Sequence, residues 1–464
     1  MKKLILLASI FLVTALSGCK KFLDIQPKFK FSESLAINSY SDLQKTTTGA
    51  FSALQSGNLY GGGFIVNDEL MADWIKTGSI SDFSLNQLVS RQLNAFNSVS
   101  TGVWNDAYKT INICNIVLYN LPKFENEDPA GTKVTKGECL FIRAIMHYEL
   151  LRRFAQASGY TANDAHLGVP IRLTPGNAEE GQDTKRSTVA EVYAQIQSDL
   201  EQAATLLPAA ANARASQYAA YAFLAKINFT QNKFDKAIEW SEKIPVNVFV
   251  LKDSVNSVFS TGEGLPNAEN IFQVDNNLND RSNDVLHERF SDKASASSTL
   301  PLYIMNPGYF TSLLATQYSL GDKRALILFK KFATNWLCRK YTFNLSMNTP
   351  VLRYSELLLI HAESLAETGG SDADVRKDYN QLRVRAGLLA DNSTSGKAAL
   401  IAAVRQERDM ELAMEGDRLF EVRRRKAQYF SAAGTFNWDE PRLIYPIPQQ
   451  EVDQNKNMVQ NPGY

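Results

Sequence analysis

Apolar positions recur every three to four residues along residues 213–244, with a break at Asn232. This spacing predicts two amphipathic helices joined by a short turn. The aromatic, leucine and small-residue positions of a tetratricopeptide repeat are matched by Tyr221, Leu224, Ala225 and Ala237. Asn228 and Ser241 stand where that repeat has Tyr and Phe. An ordinary pair of antiparallel helices is therefore the alternative interpretation.

The same periodicity predicts further helices at residues 41–55, 104–121, 136–154, 189–207, 351–367, 372–385 and 397–415. Ser41 is the predicted N-cap of the first of them. A helical hairpin cannot bury its apolar face alone, so the other pairs should stack on both sides of it. We therefore predict a mostly α fold, a scaffold of tetratricopeptide-like helical pairs at residues 41–56, 100–244 and 350–428.

Two segments interrupt this rhythm, residues 57–99 and residues 245–349. The first is rich in Gly and aromatic residues and is predicted to contain one short helix at residues 68–76. The second is predicted to be mainly irregular, with periodicity returning only at residues 309–318. Loops of this length are usually functional or disordered, and packing rather than disorder is favoured by the aromatics Phe272, Phe290, Tyr303, Tyr309 and Trp336.

Composition excludes some classes of partner. Lys and Arg number 49, and Asp and Glu also number 49. A broad basic surface for nucleic acid or anionic lipid is therefore not expected. With 44% hydrophobic residues in 464, the chain can bury a sizeable core.

The N-terminus has the pattern of an export signal. Lys2 and Lys3 precede an apolar run at residues 4–16, which is too short to span a bilayer comfortably. The run ends in Leu-Ser-Gly-Cys19, which is similar to a bacterial lipobox. We predict a lipoprotein signal peptide at residues 1–18, a lipid anchor and tether at residues 19–40, and a single domain at residues 41–464. A plain signal peptide with a chance Cys19 is the alternative.

Three cysteines remain after Cys19, namely Cys114, Cys139 and Cys338. At most one disulfide is possible among them. Cys114 and Cys139 lie in apolar helical patterns, which favours buried free thiols.

Short motifs along nearly the whole chain resemble the SusD/RagB family of outer-membrane nutrient-uptake lipoproteins. They lie at residues 19–24, 137–148, 168–170, 321–324, 353–363, 382–387, 407–418, 446–448 and 460–464. Cys139 replaces the usual Ala of the second motif, and residues 381–383 lack the usual Asn.

The resemblance implies a helical scaffold with a loop-rich insertion that carries ligand binding. It implies a cell-surface protein that covers a TonB-dependent barrel of the SusC type and passes oligosaccharides, or in some members peptides, to it. It implies no reaction and no cofactor. The resulting prediction is a lipid-anchored glycan-binding subunit of an importer, with a peptide-binding subunit or an extracellular hydrolase as alternatives.

Glu407, Glu411 and Glu415 recur every four residues and are predicted to share one helix face. A glycoside hydrolase needs two carboxylates on separate supports flanking the scissile bond, which one stripe does not provide. A structural ion-pair network, with partners among Arg353, Arg383, Arg385 and Arg418, is therefore expected.

Metal and cofactor motifs are missing from the sequence. The four histidines are scattered without metal-ligand spacing, and Walker, GxSxG and Rossmann patterns do not occur. The Asp- and Asn-rich residues 275–284 lack the spacing of a calcium loop. We predict no metal site and no catalytic residue.

Aromatic side chains are the better binding candidates. A sugar ring stacks its apolar face on Trp or Tyr while its hydroxyl groups need polar partners. Residues 60–76 combine both kinds of side chain. We predict a shallow site formed by this loop and the long insertion, with Trp74, Tyr60 and Trp336 as stacking residues and Asn67 and Asp73 as hydrogen-bond partners. A core position in a short helix is the alternative for Trp74.

Overall fold

The structure, a computed structural model, describes residues 37–77, 82–176, 184–210, 214–262, 264–277, 279, 284–290, 303–431 and 433–464. Helices predominate and the strands are short, which confirms the predicted mostly α class. The predicted signal peptide, Cys19 and most of the tether lie outside the described residues. In the described segments, no helix combines the length and the apolar character needed to cross a bilayer.

The elements up to residue 260 are α1 (Tyr40–Leu54), α2 (Gly63–Met71), β1 (Ile75–Thr77), α3 (Phe83–Ser90), α4 (Ser98–Asn120), α5 (Pro129–Phe154), α6 (Val189–Leu206), α7 (Gln217–Thr230), α8 (Phe234–Glu242) and α9 (Ser257–Ser260). Two 3₁₀ turns, Leu121–Phe124 and Ala162–Asp164, lie among them.

The remaining elements are β2 (Asn270–Val274), α10 (Asp284–Phe290), β3 (Tyr303–Met305), α11 (Tyr309–Ser319), β4 (Phe329–Phe332), β5 (Asn335–Cys338), β6 (Thr349–Arg353), α12 (Tyr354–Thr368), α13 (Asp372–Arg385), α14 (Lys397–Glu411), α15 (Arg418–Arg424), β7 (Tyr429–Ser431), β8 (Gly434–Phe436) and α16 (Gln449–Gln454). A π-helical turn, Arg324–Leu328, precedes β4, and a 3₁₀ turn, Pro441–Leu443, follows β8.

Helix α5 is the centre of the scaffold. Almost every side chain of its second half is buried, because α4 and α6 pack against it and enclose it. Its buried Arg143 forms two hydrogen bonds with Asp199 of α6, at 2.7 and 2.8 Å. The pairing satisfies a charge that would otherwise be costly to bury.

The predicted hairpin is confirmed as α7 and α8. Asn232 adopts a left-handed conformation at the turn, with φ 56°, which Asn tolerates better than most residues. Ala237 is fully buried where the two helices meet. Helix α6 packs on α7, and α12 packs on both helices of the hairpin. The expected stacking on both sides is therefore present, and a second core cluster joins α12, α13 and α14.

Several predicted helix boundaries were wrong. Helix α4 begins at Ser98 rather than residue 104, and α5 begins at Pro129 rather than residue 136, because Asn97 and Asp128 cap them there. Helix α1 begins at Tyr40, because the side chain of Ser39, not Ser41, accepts from a backbone N–H of the first turn. Helix α14 ends at Glu411 rather than residue 415, because the chain turns there and Met414 has φ 64°. Glu415 therefore lies beyond the helix that carries Glu407 and Glu411.

The insertion is more regular than predicted. It contains β2 to β6 and several short helices, and β2 pairs with β6 while β4 pairs with β5. These strands have three to five residues, which is too short for alternation to be visible in the sequence. In the first loop, the predicted helix at 68–76 was also misplaced, because helix α2 ends at Met71 and strand β1 follows.

The predicted ion-pair network is confirmed. Glu407 and Glu411 bind Arg324, Glu411 also binds Arg353 and Arg385, and Glu415 binds Arg353 and Lys340. All of these side chains are largely buried, so the network joins α14 to the insertion. Arg418, one of the partners considered, pairs with Asp73 instead.

The three cysteines within the described residues are buried and free, as predicted. Burial raises the pKa of the Cys338 thiol to about 12. A thiol of this kind is inert, because the thiolate is the reactive form.

His361 of α12 forms ion pairs that join three helices of the scaffold. Its Nδ1 lies 2.6 Å from Asp378 of α13, and its Nε2 lies 3.6 Å from Glu242 of α8. Burial opposes the charged form, but the two carboxylates outweigh it and raise the pKa of His361 above its ordinary value. The ion pairs of protonated His361 therefore stabilise the fold fully below the pKa of histidine in the unfolded chain, near 6.5. This stabilisation is lost as the pH rises through the pKa of His361 in the folded protein.

We expect His361→Gln to lower the free energy of unfolding by about 1 kcal/mol at a pH near 5.5 and by less at a pH near 9. Urea unfolding at the two pH values measures the difference. An equal loss at both would show that the imidazole charge does not contribute.

Candidate functional site

The two predicted loop regions meet at a two-stranded antiparallel ladder. In it, Ile75 of β1 pairs with Met305 of β3 and Thr77 pairs with Tyr303. Asn306 extends the contact, since its backbone N–H donates to the Trp74 carbonyl at 2.6 Å and its side-chain amide donates to the Asp73 carbonyl at 3.1 Å. The structure therefore brings residues 73–77 and 303–310 together.

Trp74 lies behind this junction, enclosed by its neighbours. Its ring stacks on Phe310 with centroids 4.3 Å apart and planes 13° apart. The Arg418 guanidinium lies over the same ring, 4.8 Å from its centre. The ring is only 5% exposed and has no free face for a sugar in this conformation.

Asp73 lies at the edge of the junction and is half-buried. Its two carboxylate oxygens accept from Arg418 Nε at 3.0 Å and from Nη2 at 3.1 Å. This bidentate geometry fixes both side chains. Arg418 belongs to α15, so the pair ties the first loop to the C-terminal part of the scaffold.

Tyr309 is the exposed aromatic residue at this place. It is the first residue of α11 and is 55% exposed, while the next residue, Phe310, is buried against Trp74. Its hydroxyl donates to Asp409 at 3.0 Å. Partial burial, and then the Asp409 carboxylate, hold the pKa of Tyr309 above its usual range. The ring is thus neutral, oriented and open to solvent.

We call Asp73, Asn306, Tyr309 and Arg418 the Tyr309 surface, with Trp74 and Asp409 behind it. It combines an aromatic face with a cation, a carboxylate and an amide. From the sequence, Tyr309 was expected only to pack within the insertion. The signal that could have revealed it is the apolar stripe of α11, because Phe310, Leu313 and Leu314 define the buried face and leave Tyr309 at its edge.

Trp336 lies on β5, next to β3, and is also enclosed. Its ring meets Tyr318 edge to face, with centroids 5.7 Å apart. Tyr318, near the end of α11, is the exposed member of this pair. Trp336 therefore supports a tyrosine that faces solvent, whereas Trp74 packs on Phe310, the neighbour of Tyr309 in the chain.

Tyr60 and Asn67 lie deeper in the protein. The Tyr60 hydroxyl donates to Glu149 of α5 at 3.0 Å, and Asn67 is buried in α2. Together with Trp74 and Trp336, these side chains are at most 7% exposed. Their contact with a ligand stays a prediction, and it would require them to become exposed.

Burial raises the pKa of several carboxyl groups, among them Asp409, and a raised pKa can mark an acid catalyst. The two groups with large shifts are Glu69 and Asp68. Burial raises the pKa of Glu69 to about 8, and burial raises that of Asp68 to about 6 against the opposing effect of Arg153. Glu69 is completely buried, and its Oε1 accepts from the backbone N–H of Gly416 at 2.8 Å. Asp68 lines a pocket but is only 1% exposed and accepts from Arg153. In this conformation neither group is placed to protonate a glycosidic oxygen of a polysaccharide at the protein surface.

Within the described ranges, no three or more His, Cys, Asp or Glu side chains converge in a way that could hold a metal ion. The acidic groups of the Tyr309 surface, Asp73 and Asp409, are already engaged by Arg418 and Tyr309.

Two family models match the chain. The model described as "Starch-binding associating with outer membrane" matches residues 21–229, and the model described as "SusD family" matches residues 308–464. A curated relative, the SusD-like protein P2 of Formosa agariphila, is 24% identical, and the match covers 98% of each chain.

Solved structures share the fold. A putative sugar binding protein from Bacteroides vulgatus is 25% identical, with a TM-score of 0.80 over 92% of this chain and 99% of that one. A SusD superfamily protein from Bacteroides thetaiotaomicron is 21% identical, with a TM-score of 0.81 over 92% of this chain and 100% of that one. A laminarin binding SusD-like protein is 20% identical, with a TM-score of 0.73 over 92% and 100% of the two chains.

Proposed function

Because this chain belongs to the SusD/RagB family, we propose that it is a cell-surface lipoprotein that binds oligosaccharides or polysaccharide and delivers them to a TonB-dependent outer-membrane transporter. The names of its relatives support a carbohydrate, since one model is described as starch-binding and one structural neighbour binds laminarin. We propose no catalytic activity.

The observation that carries this proposal is the exposed ring of Tyr309 beside the fixed Asp73–Arg418 pair. A sugar could stack on the ring while its hydroxyl groups bond to the carboxylate, the guanidinium and the Asn306 amide. In this proposal Trp74 positions the surface from behind, by supporting Phe310 and Arg418.

Such an open surface should bind weakly, with a dissociation constant of about 10 μM to 1 mM. Screening the purified protein on panels of glycans and of peptides tests the ligand class. Binding to at least one glycan and to none of the peptides is expected. Binding to peptides alone would replace the proposal with its alternative, a peptide-binding subunit.

Replacing Tyr309 by Ala should lower the affinity for the glycan that the panel identifies by about five- to fiftyfold, because it removes the stacking face. Isothermal titration calorimetry measures the change. Tyr119→Ala, which removes an exposed tyrosine from α4, is the matched control and should leave the affinity unchanged. Equal affinities in the two variants would exclude Tyr309 from the site.

The proposed partner is a SusC-like TonB-dependent barrel, since a tethered binding protein cannot itself move a ligand across the outer membrane. Purification of the tagged protein from its own cells in mild detergent should recover a barrel. Recovery of the protein without any barrel would contradict this pairing.

The proposed anchor is lipid on Cys19, which a labelled fatty acid detects. We expect label on the wild-type protein and none on Cys19→Ala, because the thioether is the attachment point. Several acyl chains are needed for stable anchoring, so the variant should also leave the membrane fraction. Label retained by the variant would place the lipid elsewhere.

A further inference from the structure

A second pocket lies apart from the Tyr309 surface, between the loop that follows α5 and the C-terminal segment. It encloses about 460 Å³, mouth included, and its walls include Gln156, Tyr160, His166, Arg186, Pro441 and Pro462. The loop is held in shape by Asp164, which accepts from the backbone N–H of Gly159 and the Ser158 hydroxyl, both at 2.6 Å. The pocket is therefore built from a fixed loop.

Its mouth is aromatic. Tyr160 is 40% exposed, and its ring lies 5.2 Å from His166 and 6.3 Å from the partly exposed Trp438, edge to face in both cases. Lys426 lies over the Trp438 ring at 5.1 Å. Tyr160 in the pocket wall, with Trp438 packed beside it, offers a flat apolar face of the kind that packs against a sugar ring.

Its floor is positively charged. Arg186 is buried, and its guanidinium donates only to backbone carbonyls, those of Phe154, Leu167, Gly168 and Val459. No carboxylate in the described part of the chain pairs with it, and burial lowers its pKa to about 10. Among the described wall residues Arg186 alone is charged at neutral pH, because burial also lowers the pKa of His166.

A second arginine, outside the pocket wall, adds positive charge near His166. Arg423 of α15 is buried and donates to the carbonyls of Arg152 and Ala155, each at 2.7 Å, and it too has no carboxylate partner among the described residues. Among the acidic groups nearby, Asp164 is bonded within its own loop and Glu440 pairs with Arg442. Asp439, whose backbone carbonyl accepts from Gln156 in the pocket wall, brings a further carboxylate next to Trp438. An unpaired positive charge in a medium of low dielectric constant favours an anion beside it.

The aromatic side chain in the wall and the positive charge of Arg186 together fit a ligand with a sugar ring and an anionic group. We propose that this pocket binds a sugar residue carrying an anionic substituent, a carboxylate or a sulfate group, with the ring against Tyr160 and Trp438 and the anion toward Arg186. The site is independent of the Tyr309 surface. It would give the protein a preference for acidic saccharides.

The test uses the soluble full-length mature protein with its 5 tryptophans labelled as 5-fluorotryptophan and observed by ¹⁹F NMR. Trp438→Phe assigns the resonance of interest. The probes are methyl glucuronide, glucose 6-sulfate, methyl glucoside and sodium sulfate. We expect a saturable shift of the Trp438 signal with at least one anionic sugar and an affinity at least about tenfold lower for methyl glucoside.

Tyr160→Ala should weaken the anionic-sugar response several-fold, and Tyr119→Ala, the control on α4, should not. Comparing the glucuronide with the sulfate ester shows which anion is preferred. The proposal is overturned if no sugar shifts the signal, if the glucoside matches the anionic sugars, if sodium sulfate alone reproduces the effect, or if Tyr160→Ala has no effect. Tyr309→Ala should leave this response intact, so failure here is distinguishable from failure of the proposed function.

Discussion

Glu411→Gln is expected to lower the free energy of unfolding by about 3–5 kcal/mol, because it removes the shared anion of a buried network. Glu411 Oε1 accepts from Arg353 at 2.6 Å and from Arg385 at 2.5 Å, and its Oε2 lies 3.3 Å from Arg324. Glutamine keeps the size of the side chain but leaves three guanidinium groups short of one negative charge. Urea unfolding followed by tryptophan fluorescence measures the loss.

Glu239→Gln is the matched control. Glu239 pairs with Lys236 and Lys243 on the exposed face of α8, where solvent screens the charges. Glu239→Gln should lower the free energy of unfolding by less than about 1 kcal/mol. Equal losses in the two variants would mean that the network adds no more stability than a surface pair.

The same network predicts a loss of stability in acid. Burial favours the neutral form of Glu411, but Arg385, Arg353 and Arg324 outweigh it and hold its pKa well below the usual range. The contribution of Glu411 to the free energy of unfolding is therefore complete above the pKa of glutamate in the unfolded chain, near 4.3. It is lost as the pH falls through the pKa of Glu411 in the folded protein. Glu411→Gln, which has no such group, should lose less stability than the wild type over this acid range.

Trp74→Ala is expected to destabilise the protein by about 3–5 kcal/mol, because it leaves a cavity between Phe310 and Arg418. Trp74→Phe, which fills part of that space, should cost less. Phe96→Ala is the control, since Phe96 is an exposed aromatic residue in the same loop region, and it should change stability by no more than about 0.5 kcal/mol. A loss at Trp74 as small as that at Phe96 would show that the ring is not enclosed in solution.

Long helices could be predicted from the sequence, because ten or more residues repeat the buried stripe several times. Helix α13 occupies the predicted residues 372–385, and the hairpin of α7 and α8 turns at Asn232 as expected. The ladder between β1 and β3 could not be predicted, because its strands have three residues each and pair across more than 200 positions of sequence. The pairing of β1 with β3 depends on tertiary packing, which the local sequence pattern does not indicate.

The site was predicted only as a region. Sequence composition directed attention to Trp74 and Asp73, which do lie where the two loop segments meet. The apolar stripe of α11 indicates that Phe310 is buried and that Tyr309 lies at the edge of the buried face. The stacking of Trp74 on Phe310 could not be predicted, because it depends on tertiary packing between distant segments. Arg418 was expected in the network of Glu407, Glu411 and Glu415, but it forms a bidentate contact with Asp73 instead, with its side chain 16% exposed.

A crystal structure of the protein with a bound oligosaccharide tests the central claim most directly. We expect a sugar ring packed within about 4 Å of the Tyr309 ring, with hydroxyl groups bonded to Arg418 and Asp73. An oligosaccharide bound elsewhere on the protein, with the Tyr309 surface empty, would contradict the proposed site.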